Sequence, residues 1–153
     1  MALVFLLSSA DQKLFGPSNL ATIAQTFTEY FHLPDSRVEL SCVSLQAIQA
    51  LNKEYRNLDE PTDVLSFPLF SDLAAIQSSA GDQENLLGSI IICPEKAQLY
   101  GETLPQLVHH GLLHLLGFDH EVDLKSWQIA ENAIITLLAS HNLIIPPIPH
   151  DAF

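Results

Sequence analysis

The chain has 153 residues, 48% of them hydrophobic and 16% charged, which is enough to bury one core and excludes intrinsic disorder. Six Lys and Arg against 18 Asp and Glu leave a formal net charge of −12. Affinity for a phosphate backbone rests mainly on Lys and Arg, so any hold on nucleic acid must come from a few placed cations, a metal or a partner.

The opening MALVFLLSSA has no Lys or Arg ahead of its apolar run, so it reads as a buried first strand, residues 2 to 8, and not as a secretory signal. GPS at 16 to 18 punctuates, and an amphipathic helix runs from about Asn19 to Phe31, closed by LPD. SRVELSCVS alternates, with Val38, Leu40 and Cys42 inward against Glu39 and Ser41, as a half-buried strand does. Ser44 caps a helix through LQAIQALNKEYR, with Leu45, Ile48 and Leu51 at helical spacing. Pro61 and Pro68 bracket a short strand at Val64 to Phe67 and deny it donors at both ends, which predicts an edge position. SDLAAIQSSAGDQENL, poor in aromatics, reads as a mobile surface loop, and LLGSIIIC as a compact apolar strand.

PEKAQLYG starts a helix with Pro94 in its first turn and ends it at Gly101. A second helix spans about Leu104 to Leu116 and stops at Gly117. A last one, about Glu121 to Ser140, displays Leu124, Trp127, Ala130, Ile134, Leu137 and Leu138. The tail from 141 to 153 is rich in proline and cannot be helical. The main elements follow the order βαβαββαα: a single α+β domain over 1–140, without repeats, built on one mixed sheet of four strands. Cys42 and Cys93 lie far apart with no CxxC pairing and read as reduced thiols buried in strands. No run approaches the 18 or so apolar residues of a membrane span.

The chemistry gathers in HHGLLHLLGFDH, residues 109 to 120. At 100° per residue, His110 and His114 share one helix face, while Val108, Leu112, Leu115 and Leu116 cluster opposite, towards the core. Gly117 supplies the left-handed cap that lets the chain reverse and swing His120 back over the pair. Three neutral imidazoles with a fourth position open to water describe a catalytic metal site, zinc first, nickel and copper next. His109 is turned about 100° away from that face, so a surface or supporting role is expected for it, and His32, His141 and His150 read as solvated. Asp119 either orients a ligand histidine or accepts a proton from water, or it is a plain turn residue. A peptidase helix of this spacing carries glutamate after its first histidine; here the residue is Gly111.

With these motifs, the chain resembles the YbeY family of bacterial metallo-endoribonucleases of ribosomal RNA maturation. The family pattern HGxLHLxGxDH is met at 110 to 120, with Phe118 where Tyr is common. Asn52 to Arg56 and PTDVLSFP at 61 to 68 match a second block, and Leu87, Gly88 and Ile90 a third. The resemblance covers Val38 to about Leu138. It implies a zincin-like fold, zinc on His110, His114 and His120, and Arg56 as an active-site arginine. It further implies single-stranded ribosomal RNA as substrate, ribosomal proteins as partners, and a cytoplasmic setting, with neither DNA nor membrane involved. The chain departs from the family at Ser89, where Asp is frequent, and in a short stretch after Pro94 that lacks a basic segment.

The expected function is thus zinc-dependent, single-strand-specific RNA cleavage in 16S ribosomal RNA 3′-end maturation and ribosome quality control, with Arg56 meeting the phosphodiester. Two alternatives stand beside it. One is a metallopeptidase or amidohydrolase whose base is Asp119 in place of the missing glutamate. The other is a non-enzymatic, zinc-stabilised assembly factor that turns its acidic surface to basic ribosomal proteins.

Overall fold

The structure, a computed structural model, describes residues 3–79 and 85–148. Strand β1 (Leu3–Leu6) leads through α1 (Ser9–Phe15) and α2 (Pro17–Phe31) into β2 (Ser36–Cys42). Helix α3 (Leu45–Arg56) then connects to β3 (Val64–Pro68), and α4 (Leu73–Ser78) to β4 (Asn85–Ile92). Three helices close the chain: α5 (Pro94–Leu99), α6 (Leu104–Leu115) and α7 (Leu124–Ser140).

The sheet order is β1-β2-β4-β3. β1, β2 and β4 run parallel and β3 antiparallel to β4. The α+β, mixed four-stranded expectation holds, and β3 lies at the edge, where Pro68 has no ladder partner to disappoint on its outer side. Successive residues of β4 face opposite layers. Ile90 and Ile92 enter the main core with α2, α6 and α7, while Ile91 joins a smaller cluster under α3 built on Ile48, Leu65 and Cys93. Ser89, where the family often places Asp, donates its hydroxyl to Glu39 on the neighbouring strand at 2.9 Å, so a carboxylate is present one strand away.

Four helices, α1, α2, α4 and α7, depart from the sequence pattern. The first strand ends at Leu6 and not at residue 8, and Ser8 caps α1 in the stretch after it, to which the sequence pattern assigns no element. α2 begins at Pro17, because proline is preorganised for a first helical position. The expected loop after Phe70 contains α4: Asp72 accepts from the Ala75 N–H at 2.8 Å and Ile76 is fully buried. One buried residue in six is too little periodicity to read in advance. The remainder of that loop, 80–84, and His150 lie outside the described residues. α7 starts at Leu124 and not Glu121, since Asp123 caps it through Ser126. Cys93 is buried, but as the residue that begins α5, while Cys42 ends β2 half-buried.

Within the proline-rich tail, Ile145 and Ile148 pack into the main core, and the Pro146 carbonyl accepts from Gln106 of α6 at 2.8 Å. The entry to β3 is tied twice. Asp63, almost fully buried, accepts from the Val64 N–H at 2.8 Å, and its own carbonyl accepts from Cys93 N–H at 2.8 Å. Glu102, just ahead of α6, faces the same Asp63 carboxylate. Burial first, then the hydrogen bond and the charge of Asp63, push the Glu102 carboxyl up to about 8, so it stays protonated and donates to Asp63.

A glutamate with a raised folded pKa stabilises most below its unfolded pKa and progressively loses that contribution as pH rises through the folded one. The window here runs from 4.5 to about 8. Denaturant midpoints of wild type and Glu102→Gln across that window should diverge, the variant gaining relative stability as pH rises. Parallel curves would show that the two carboxyls do not share a proton.

Candidate metal centre

Helix α6 is enclosed on three sides, and its sequence is arranged for that. It contacts β3, β4, α2 and α7. A capping box of Thr103 and Gln106 starts it, each side chain bonded to the other's backbone. Gly111 faces the sheet. A Cβ there would stand 2.9 Å from Cγ2 and 3.0 Å from Cδ1 of Ile90, so only glycine lets the helix lie this close to the middle of β4. His109, one residue back, points towards α2 and meets the Phe27 ring edge-on at 5.9 Å. It is a core residue, 2% exposed, not the surface or supporting residue expected. Burial pushes its pKa down to about 4, so it packs as a neutral aromatic ring.

His110 and His114 occupy the remaining side, towards α7. The expectation that this face is the helix's free one fails for His110, which is 5% exposed. The Gly117 N–H bonds to His114 O at 3.0 Å and the Phe118 N–H to Leu113 O at 3.0 Å, the paired bonds of a Schellman cap. Gly117 takes φ +94, and a Cβ there would lie 2.7 Å from Cα of Asp72. The chain therefore turns back at this point, Phe118 packs on Phe31 at 5.6 Å, and His120 comes over the pair.

The outcome is a triangle of imidazoles. Ring centroids are 4.9 Å apart for His110 and His114, 5.4 Å for His110 and His120, and 5.3 Å for His114 and His120. One nitrogen from each lies within 4.8 Å of the others, so the three could hold a metal ion. The donor set fits that role in charge as well as in place. A ligand imidazole must be neutral, and burial, followed by the neighbouring His120, lowers the His114 pKa against the opposing pull of Asp119, a hydrogen bond with the Phe118 backbone, and Glu121. That backbone bond also engages one ring nitrogen and leaves the other available to a metal.

Asp119, half-buried, lies in the same turn, where its Oδ1 accepts from the Glu121 N–H at 2.9 Å. Arg56 is exposed in the last turn of α3, where a helix end favours a cation; α3 packs on the Ile91 side of the sheet and α6 on the Ile90 side. Lys53, one turn earlier, faces Asp59 at 3.8 Å. Missing from the sequence reading was the part played by Trp127. Helical spacing marked it as core, which it is, fully buried. The pattern gave no sign that its ring lies 4.8 to 5.0 Å from all three histidines.

A mixed sheet carrying an enclosed helix, with three imidazoles gathered where that helix turns back, defines the framework of a metal-dependent hydrolase. The comparisons agree. Residues 11–139 match the family profile described as Endoribonuclease YbeY. The Endoribonuclease YbeY of Aliarcobacter butzleri is 42% identical over 125 residues, 76% of this chain and 79% of the relative. That of Francisella tularensis subsp. novicida is 33% identical over 135 residues, 83% and 81% of the two chains. The solution structure of TM1509 from Thermotoga maritima superposes with a TM-score of 0.51 at 24% identity, covering 92% of this chain and 91% of that one, a likeness of fold. The chain belongs to the YbeY family, an enzyme family whose curated members carry the name endoribonuclease.

Two substitutions test this construction. Gly111→Glu cannot restore a peptidase base: it forces a carboxylate against Ile90 and should cost at least about 3 kcal/mol in denaturant unfolding, without new peptidase activity. A stable Gly111→Glu protein that cleaves peptides would refute the packing account. Gly117→Ala combines a left-handed backbone with the Asp72 contact and should cost about 2 kcal/mol or more, lowering the thermal midpoint by roughly 5 °C. Because it displaces His120, zinc titration of this variant should show weaker binding even where it remains folded.

Proposed function

We propose that this protein is a zinc-dependent, single-strand-specific endoribonuclease acting in 16S ribosomal RNA 3′-end maturation and ribosome quality control, in the cytoplasm. The observation that carries the reading is the convergence of His110, His114 and His120, with candidate ligand nitrogens within 4.8 Å of one another. Three neutral nitrogen donors suit zinc and leave a fourth position for an oxygen of water or substrate. When bound, zinc supplies Lewis-acid polarisation of a phosphoryl oxygen and makes water more acidic.

The remaining steps fall to the chain's own groups. His110, His114 and His120 hold the ion, each as neutral imidazole. Asp119, pinned by the Glu121 N–H in the turn that carries His120, is the candidate proton acceptor. Arg56 offers a planar fork that matches the oxygens of a phosphodiester and offsets charge building on them. From the last turn of α3, the helix over the Leu65 side of edge strand β3, it meets substrate arriving across that edge. The net charge of −12 gives RNA little general attraction, which suits delivery by basic ribosomal proteins docked on the acidic surface.

Gly111 weighs against the peptidase alternative. A peptide bond's poor leaving group needs a proton shuttle, and the position where that glutamate would stand is filled by the Ile90 contact. An RNA phosphodiester brings its own 2′-hydroxyl as a nucleophile.

Zinc-loaded protein incubated with single-stranded RNA should cut it internally. His114→Ala should abolish cleavage, and Arg56→Ala should slow it by about 10²–10³-fold, the usual effect of removing one group that stabilises transition-state charge. Equal RNA survival with wild type and both variants, at confirmed zinc loading, would sink the nuclease reading and favour the assembly-factor one.

A further inference from the structure

Trp127 is the chain's only tryptophan and is fully buried. Its ring centroid lies 4.9 Å from His110, 4.8 Å from His114 and 5.0 Å from His120, at interplanar angles of 61°, 45° and 81°. One rigid side chain thus touches every member of the triangle, although the three histidines come from two segments on either side of the Gly117 turn. The indole is itself held: its Nε1–H donates to Oε2 of Glu131 at 3.3 Å, one turn further along α7, and Glu131 is 3% exposed. A buried carboxylate is costly to keep where an apolar side chain would pack, which asks for a reason beyond filling space.

We propose that Trp127, braced by Glu131, is a positioning residue of the metal centre, resting on the reading of His110, His114 and His120 as its ligands. An imidazole rotates about two side-chain bonds, and the twofold torsion next to the ring is broad. A flat wall in contact with all three rings restricts those rotations before any ion arrives. The Nε1–H to Glu131 bond removes the wall's own freedom, so the orientation of α7 is passed to ligands borne by α6 and by the turn after it. Groups that orient metal ligands from outside the coordination sphere commonly govern affinity to the extent of about 10–100-fold.

The test uses the full chain with zinc and cobalt(II) as probes. Glu131→Leu removes the acceptor and should weaken zinc binding by about 10–100-fold in a chelator competition, with an altered cobalt absorption spectrum. Glu131→Gln keeps an oxygen that accepts the indole N–H and should restore affinity close to wild type together with the wild-type spectrum. Trp127→Phe, which keeps an apolar ring and lacks the N–H, should behave like Glu131→Leu. A pair with only a structural part would shift thermal stability and leave cobalt geometry alone. Unchanged zinc affinity and cobalt spectrum in both Glu131→Leu and Trp127→Phe would overturn the positioning role and leave the metal centre standing. Failure of the wild type to bind either ion stoichiometrically would overturn the metal centre, and this inference with it.

Discussion

The close approach of α6 to β4 at Gly111 and Ile90 is the constraint on which the rest of the molecule depends. With one side of the helix pressed on the middle of the sheet, the next residue in each direction around it faces another helix. His109 is sent into the core against Phe27 of α2, and His110 with His114 towards Trp127 of α7. Burial then sets their protonation. His109 and His114 are both held towards the neutral form, one as a packing ring and the other as a nitrogen that could serve a metal. The same desolvation therefore acts on a core ring at one position and on a possible ligand at the other.

That packing also explains why the helix has a peptidase helix's histidine spacing but glycine in place of its glutamate. The slot that would hold a glutamate between the two histidines is spent on helix–sheet contact. In the proposed reading, the proton acceptor and the charge-stabilising group come from elsewhere: Asp119 from the turn after the helix and Arg56 from the last turn of α3.

Charge is the second theme. An acidic chain that handles RNA cannot rely on a broad basic surface. Three imidazoles that could hold a dication would concentrate positive charge at one point of an otherwise acidic chain. Within the fold, acidity is handled by sharing: Glu102 keeps its proton beside Asp63, and so two buried carboxyls join the start of β3 to the start of α6 without mutual repulsion.

Much of this was legible residue by residue. The Ser44 cap, the alternation of Val38 and Leu40, the prolines around β3 and the spacing of His110, His114, Gly117 and His120 are local signals, and local physics determines their outcome: helix, strand, edge and turn. α4 escaped notice because six residues offer no period, and His109 was misplaced because α6 is covered where an ordinary helix meets water. What the sequence by itself determined was the four strands, most of the helices and the trio of histidines that could hold a metal, since each follows largely from neighbours within a turn or two along the chain. Only the tertiary structure decided that Trp127 and Glu131 stand behind that trio, that Gly111 is occupied by contact with Ile90, and that α3, with Arg56 in its last turn, packs on the Ile91 side of the sheet. Those facts depend on which faces of α3, α6 and α7 are pressed together, and no periodicity within a single element contains that information.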